Sequence, residues 1–225
     1  MMKRAIEIVF IHMPAAFLLC SVIWVLTYRY IPIRWTPLML VRTIENAGSR
    51  DYVNRQIWTP IDKISPVIKE AVLLTEDQRF YSHHGFDMTE LRQMMDRIQT
   101  DHRHAVRGCS TISQQVAKNC FTFGRRTLWR KTFEAYYTVL IELLWGKERI
   151  LEVYMNVAET GRGLFGVEAA CRKYYGCSAA DISISEAAAL ACILPKPLAR
   201  TPSSVMSMHA HRHAQIAGEI GQRFR

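Results

Sequence analysis

Thr75-Glu-Asp-Gln-Arg-Phe-Tyr-Ser-His-His-Gly-Phe-Asp87 sets two adjacent acids, Glu76 and Asp77, ahead of aromatics, two histidines and a glycine. Upstream, Ser65-Pro66 predicts a helix N-cap followed by Pro at the first helical position, and the mostly apolar Val67–Leu74 continues that helix. The acids therefore close a helix, near the negative pole of its macrodipole, where an ionised carboxylate is not favoured. Apolar neighbours such as Phe80 and Tyr81 add desolvation, which raises a carboxyl pKa. Both effects tune a carboxyl group toward general acid/base work; a solvated acid pair at a helix end accounts for the same residues.

The 225 residues suit one domain, and 49% hydrophobic residues provide for a core plus an anchor. A net charge of +9 points to an anionic partner: nucleic acid, lipid headgroups or a phosphate-bearing substrate. No zinc-finger spacing or RNP-type aromatic signature is present, so nucleic acid is not expected. The six cysteines lack metal-ligand spacing and read as small buried hydrophobes; Cys171 and Cys177 are close enough to form a disulfide in an oxidising compartment.

Ile8 to Leu26 is apolar apart from His12, Pro14 and Ser21. At about 1.5 Å per residue it reaches roughly the thickness of a bilayer's hydrocarbon core. Trp24, Tyr28, Tyr30 and Trp35 cluster at its far end as interface aromatics do. A cleaved signal peptide is the competing reading, but Arg29 and bulky aromatics stand where a small-x-small cleavage site belongs. Lys3 and Arg4 precede the span while Arg29, Arg34 and Arg42 follow it, so charge does not fix its orientation.

Beyond a connecting segment to Pro60 the chain reads as successive helices. Asp87-Met-Thr-Glu90 resembles a capping box for a helix to about Thr100, and Asp101–Gly108, with His102 and His104, reads as a polar loop. Ser110 is the expected N-cap of a short helix carrying Gln114, Gln115 and Lys118, either an ordinary surface helix or a seat for phosphate or sugar. Arg125-Arg126-Thr-Leu-Trp-Arg-Lys131 leads into a long helix from about Thr127 to Trp145, with Gly146 as its C-cap and Arg126, Arg130 and Glu134 four apart. That spacing fits an ion-pair ladder as well as a binding face. Gly161-Arg-Gly-Leu-Phe-Gly166 is a glycine-rich loop without a P-loop lysine. Ser183-Ile-Ser-Glu186 opens an Ala-rich helix that Pro195 stops, and Ser204–Phe224 is a polar helix whose His209, His211 and His213 fall on different faces. No strand run or repeat is evident, so the class is mainly α.

The order of the motifs is more specific than any one of them. Glu76-Asp-x-x-Phe80-x-x-His83-x-Gly85-x-Asp87, then Gly108-x-Ser-Thr-Ile-x-Gln-Gln-x-x-Lys-Asn119, then Arg130-Lys-x-x-Glu134, then Lys147-x-x-Ile-Leu-Glu-x-Tyr-x-Asn156 resemble the peptidoglycan glycosyltransferases of family 51. The likeness is to the monofunctional, membrane-anchored members and spans roughly residues 58–200, with Ala187-Ala-Ala-Leu-Ala-x-Ile-Leu-Pro195 completing the set. Cys109 and Met155 depart from the usual pattern without touching the chemistry. The Ser-x-x-Lys, Ser-x-Asn and Lys-Thr-Gly motifs of a penicillin-binding transpeptidase domain are not found, and none is expected.

The resemblance implies a lysozyme-like, mainly helical fold with a membrane-proximal jaw lobe: a cytoplasmic stub (1–7), a transmembrane helix (8–30), a connecting jaw segment (31–57), a catalytic domain (58–200) and a C-terminal helix (201–225). It implies polymerisation of lipid II, the undecaprenyl-diphosphate-linked disaccharide pentapeptide, into β-1,4 glycan strands outside the cytoplasmic membrane. Lipid II, the growing strand and membrane lipids are the implied partners, along with other cell-wall synthesis or division proteins. Glu76 carries over as general base, and Glu134 as a second carboxylate among cations. Lys118, Arg126, Arg130 and Lys131 match the phosphate-binding region, with Ser110, Thr111, Gln114 and Gln115 along the sugar and phosphate path. Asp77, Phe80, His83, Gly85 and Asn156 carry over as supporting residues. No cofactor is required, and Mg²⁺ or another divalent cation bridging the diphosphate is compatible with the scheme, although no dedicated ligand cage is visible. A murein hydrolase or lytic transglycosylase would also use carboxylates but has little use for cations beside them. A non-catalytic cell-wall scaffold would leave the acid and the cations unexplained.

Overall fold

The computed structural model describes residues 8–100, 110–123 and 127–224, so Arg126, Cys109 and the Asp101–Gly108 loop with His102 and His104 lie outside the described residues. After a wide helical segment Ile8–His12, helix α1 runs from Met13 to Tyr30, with Pro14 in its first turn, where the missing N–H is harmless. Phe10–Tyr30 is long and apolar enough to cross a membrane. Thr36 caps α2 (Pro37–Glu45) by accepting from Met39 N at 3.2 Å, and Ser65 caps α3 (Pro66–Glu76) by accepting from Val67 N at 3.2 Å. Next come α4 (Met88–Thr100), α5 (Ile112–Phe121), α6 (Leu128–Leu144) and α7 (Lys147–Val157). The chain ends with α8 (Val167–Tyr174), α9 (Ile184–Ile193), α10 (Pro202–Met208) and α11 (Ala210–Arg223).

The core has two halves. In one, α3 buries Ile68, Ala71 and Val72 against Ala187, Ala188, Leu190 and Ala191 of α9, small side chains letting the helices approach closely, while α11 closes the far side with Ile216 and Ile220. In the other, α5 is sandwiched between α6 and α7 and buries Ile112, Val116, Ala117 and Cys120 completely. Each large apolar side chain so buried contributes about 1.5–3 kcal/mol. The ends of α3 and α5 therefore meet where the two halves join.

Helices α1 and α6 run side by side in the same direction. Phe17 meets Phe133 and Tyr136, Trp24 meets Tyr137, and Arg29 reaches Leu144. Trp24 and Tyr28, expected at a membrane interface, pack on Phe121 of α5; Tyr30 and Trp35 stay exposed. An apolar rim continues from α1 onto α6, with Leu128, Trp129 and Leu143 mostly exposed.

Several local expectations are corrected. Residues 161–166 are a hairpin rather than a loop: β2 (Glu159–Gly161) pairs antiparallel with β3 (Leu164–Phe165), which pairs parallel with β1 (Arg55–Gln56) in the order β1-β3-β2. Strands this short carry no readable alternation. Thr111, not Ser110, caps α5, in a capping box with Gln114. Gly146 opens α7 instead of closing α6, whose C-cap is Trp145. The C-terminal helix breaks into two at His209. Cys171 and Cys177 are both free thiols, which agrees with reading the cysteines as small hydrophobes and not with a disulfide between them.

Gly166, at φ +81°, turns the hairpin into α8. A Cβ there would lie 2.7 Å from the backbone oxygen of Asn156 and 3.1 Å from its carbon, atoms that cannot yield. Gly166→Ala is therefore expected to cost about 3 kcal/mol, seen as a lowered urea midpoint at unchanged slope.

Candidate active site

Glu76 is the last residue of α3 and is half-buried at the junction of the two core halves. Gln115, in the first turn of α5, donates Nε2 to Glu76 Oε2 at 2.8 Å and sits 3.4 Å from Ser110 O. Asp77 turns away from the cleft's centre and acts as mortar. Its carboxylate accepts from Ile112 N at 3.0 Å, at the positive end of α5, and lies 3.0 Å from His83 Nε2 through either oxygen. His83 Nδ1 accepts from Gly85 N at 3.2 Å, so the ring proton sits on Nε2 and points at Asp77. Gly85, at φ +88°, lies against Thr138 of α6, and its carbonyl accepts from Thr111 Oγ1 at 2.6 Å. Phe80 is buried beneath the Lys147 ammonium, 4.5 Å from the ring centre. Asn156 ties segment 56–59 to α7 through Thr59 N, Thr59 O and Glu152 O at 2.7–2.8 Å. These residues fix where Glu76 stands.

A cleft of about 1030 Å³ opens over Glu76, bounded by Tyr154, Glu159, Asn119 and the Leu194–Ala199 turn. A smaller pocket of about 440 Å³ adjoins it, walled by Gln114, Thr127, Leu128, Arg130, Lys131 and Glu134. Ser110, Gln115 and Lys118 line both. The acid and the basic cluster thus face a continuous path whose narrows are built by α5.

Glu134 is buried on α6 and holds two cations of its own helix, Arg130 Nη1 at 3.3 Å and Lys131 Nζ. Lys118 differs: its ammonium forms no ion pair or hydrogen bond among the described residues. Burial pulls its ammonium below the ordinary value of 10.5 and Arg130 adds to that, while Glu134, Glu159 and Glu76 oppose it. Burial, then the charges of Glu76 and Asp77, push the Tyr154 phenol well above its ordinary value, so it stays protonated.

The Lys118 shift has two consequences of opposite sign. The folded protein binds this proton less tightly than the unfolded chain, so its contribution to stability rises with pH between the lowered value and about 10.5. Loss of the charge over the same window removes a cation from the site. An alkaline fall in activity is expected while the melting temperature does not fall with it, and Lys118→Arg, always charged, should move that limb upward.

Among the described residues no group of three or more His, Cys, Asp or Glu side chains is placed to hold a metal ion. Glu134, the natural carboxylate for one, is already taken by two cations. The described donor set does not suit a resident metal.

Of the residues singled out from the sequence, Glu76, Ser110, Gln114, Gln115, Lys118, Arg130, Lys131 and Glu134 come together along this path. Thr111, Asp77, Phe80, His83, Gly85 and Asn156 brace it from behind. Sequence reasoning missed Arg42 and Glu159, which line the cleft as a bidentate pair with both contacts at 2.9 Å. It missed Arg212 of α11, and it quoted Asn119 without a role although its buried Oδ1 has no hydrogen-bond partner among the described residues. A lone Glu in Val157-Ala-Glu-Thr160 gives no local signal; an acid and an arginine 117 residues apart are joined only by the fold.

The sequence profile of the transglycosylase family matches residues 42–220. Over 203 residues the chain is 44% identical to a biosynthetic peptidoglycan transglycosylase of Chromohalobacter salexigens, covering 90% of this chain and 86% of that one. It is 45% identical over 177 residues to one from Caulobacter vibrioides, covering 79% and 74%. With one from Bdellovibrio bacteriovorus it shares 43% over 182 residues, covering 80% and 72%. A profile that takes in α3, α5 and α6 with the acid and the cations they carry, and relatives this similar over most of their length, lead to one conclusion: the chain belongs to the transglycosylase family.

Proposed function

We propose that the chain is a peptidoglycan glycosyltransferase that polymerises lipid II into β-1,4 glycan strands and releases undecaprenyl diphosphate. The observation that carries this is the shared lining: Ser110, Gln115 and Lys118 join the cleft of Glu76 to the pocket of Arg130, Lys131 and Glu134. A hydrolase has no anion to release and no need of that second pocket.

The acceptor sugar's hydroxyl approaches Glu76, which takes its proton as the new oxygen–carbon bond forms at the donor's anomeric carbon. Gln115 orients the carboxylate by donating to one of its oxygens. The bond from the anomeric carbon to the diphosphate oxygen breaks, and negative charge accumulates on the departing lipid diphosphate. Lys118 meets that charge with unspent donors, and Arg130 and Lys131 flank it. Glu134 keeps those two cations oriented in the absence of ligand. Arg126 is expected to join them.

We place α1 in the cytoplasmic membrane with the catalytic fold outside it. Exposed Leu128 lines the basic pocket and exposed Trp129 follows it on α6, the helix that packs along α1; a lipid-borne diphosphate would enter there. Purified protein given lipid II should yield long glycan strands and undecaprenyl diphosphate. Soluble fragments from preformed murein would instead identify a hydrolase, and no turnover in any membrane mimic a scaffold.

A further inference from the structure

The membrane helix is joined to the catalytic fold by a reciprocal pair of arginines. Helices end in carbonyls that lack an intrahelical donor. At the end of α1, Arg149 of α7 donates Nε and Nη2 to Tyr28 O at 3.2 and 2.7 Å, and Nη2 to Ile31 O at 2.5 Å. In return Arg29 of α1 donates to the carbonyl of Leu144, the last residue of α6, at 2.5 Å. Each helix C-terminus thus carries a cation from the other side of the joint, the favourable sign for its dipole. The Trp145 indole donates to Val25 O at 2.9 Å, about one turn earlier on α1.

Arg149 is itself immobilised. Its Nη1 donates to Glu152 at 2.6 Å, its guanidinium lies 5.1 Å over the Trp58 ring centre, and only 16% of the side chain is exposed. A planar fork holding two carbonyls fixes rotation as well as distance, whereas one contact would leave a swivel. The same helix, α7, carries Tyr154 to the cleft and ends beside Ala158 and Glu159, which line it.

We infer that Arg149 is a positioning residue that locks the membrane helix to α7, holding the cleft at one depth and tilt above the bilayer instead of on a loose tether. This rests on the reading of α1 as an anchor and of the substrate as lipid-borne.

The test uses the full chain in nanodiscs, with spin labels at Ile23 on α1 and Lys173 on α8 introduced as a non-natural residue that leaves the cysteines untouched. The wild type should give one narrow distance distribution and Arg149→Ala a broad one. Polymerisation of vesicle-embedded lipid II should fall about tenfold or more in Arg149→Ala, while detergent-dispersed lipid II is turned over within about twofold of wild type; a misplaced site costs this much. Arg149→Lys should not rescue, because one ammonium cannot reproduce the fork. Should Arg149→Ala fail to fold, Trp145→Phe, which deletes one donor and keeps an aromatic ring in its place, is judged on the same two readouts. An unchanged distance distribution, or equal losses in vesicles and detergent, would overturn the lock. A wild-type protein that does not enter nanodiscs, or polymerises nothing in either medium, would overturn the underlying reading and the lock with it.

Discussion

Glu76→Gln is expected to lower glycan polymerisation by between about 10² and 10⁴-fold, the range that a positioned general base supplies. The substitution keeps shape and removes only the proton-accepting charge. An amide can turn its oxygen toward Gln115, so the 2.8 Å contact persists and the junction of α3 with α5 is not disturbed. That junction is held chiefly by Asp77, which keeps its contacts to Ile112 N and His83. Melting temperature should therefore move by no more than a few degrees, and loss of turnover in a folded protein is the outcome to look for. Near-normal polymerisation would remove the assignment of Glu76 as base.

Lys118→Ala is expected to cost about 10²–10³ in kcat/KM, the usual scale for one lost electrostatic contact to developing charge. Stability should hold or rise, because the folded protein already pays to desolvate this ammonium, which has no ion pair among the described residues. The contrast with Arg130 is informative. Arg130→Ala leaves the buried Glu134 carboxylate with Lys131 alone, so activity and stability should fall together, the latter by roughly 2–3 kcal/mol. A Lys118→Ala variant that loses stability while keeping its activity would mean that the lysine braces the fold and does not meet the substrate.

What the sequence revealed and what it concealed divide along physical lines. Helix starts carry local chemistry: Ser65, Asp87 and Ser183 each cap through their own oxygen, and each is legible from the residues that follow it. The Ser110–Thr111 choice is not, because either hydroxyl could serve and only packing of Thr111 Oγ1 on Gly85 O selects between them. Gly146 was misread for a similar reason: a glycine between two helices can end one or begin the next. The short sheet stayed hidden because two- and three-residue strands have no period. At the site, Glu76 and the cations announced themselves through motif order. Arg42, lying in what read as a connector, and Arg212, in what read as a terminal helix, reach the cleft only through tertiary packing. Trp24 and Tyr28 have the composition of an interface belt, and their packing on Phe121 and Tyr137 shows only once the helices are assembled.

The account turns on one path joining a proton acceptor to a seat for diphosphate, and a bound analogue reports on it directly. A structure with a non-hydrolysable lipid-linked disaccharide diphosphate should place the phosphates against Lys118 and Arg130 in the smaller pocket, with the anomeric carbon at the Ser110–Gln115 narrows facing Glu76. Phosphates lodged at the far end of the large cleft, by Lys196 and Arg212, with Lys118 untouched, would contradict it.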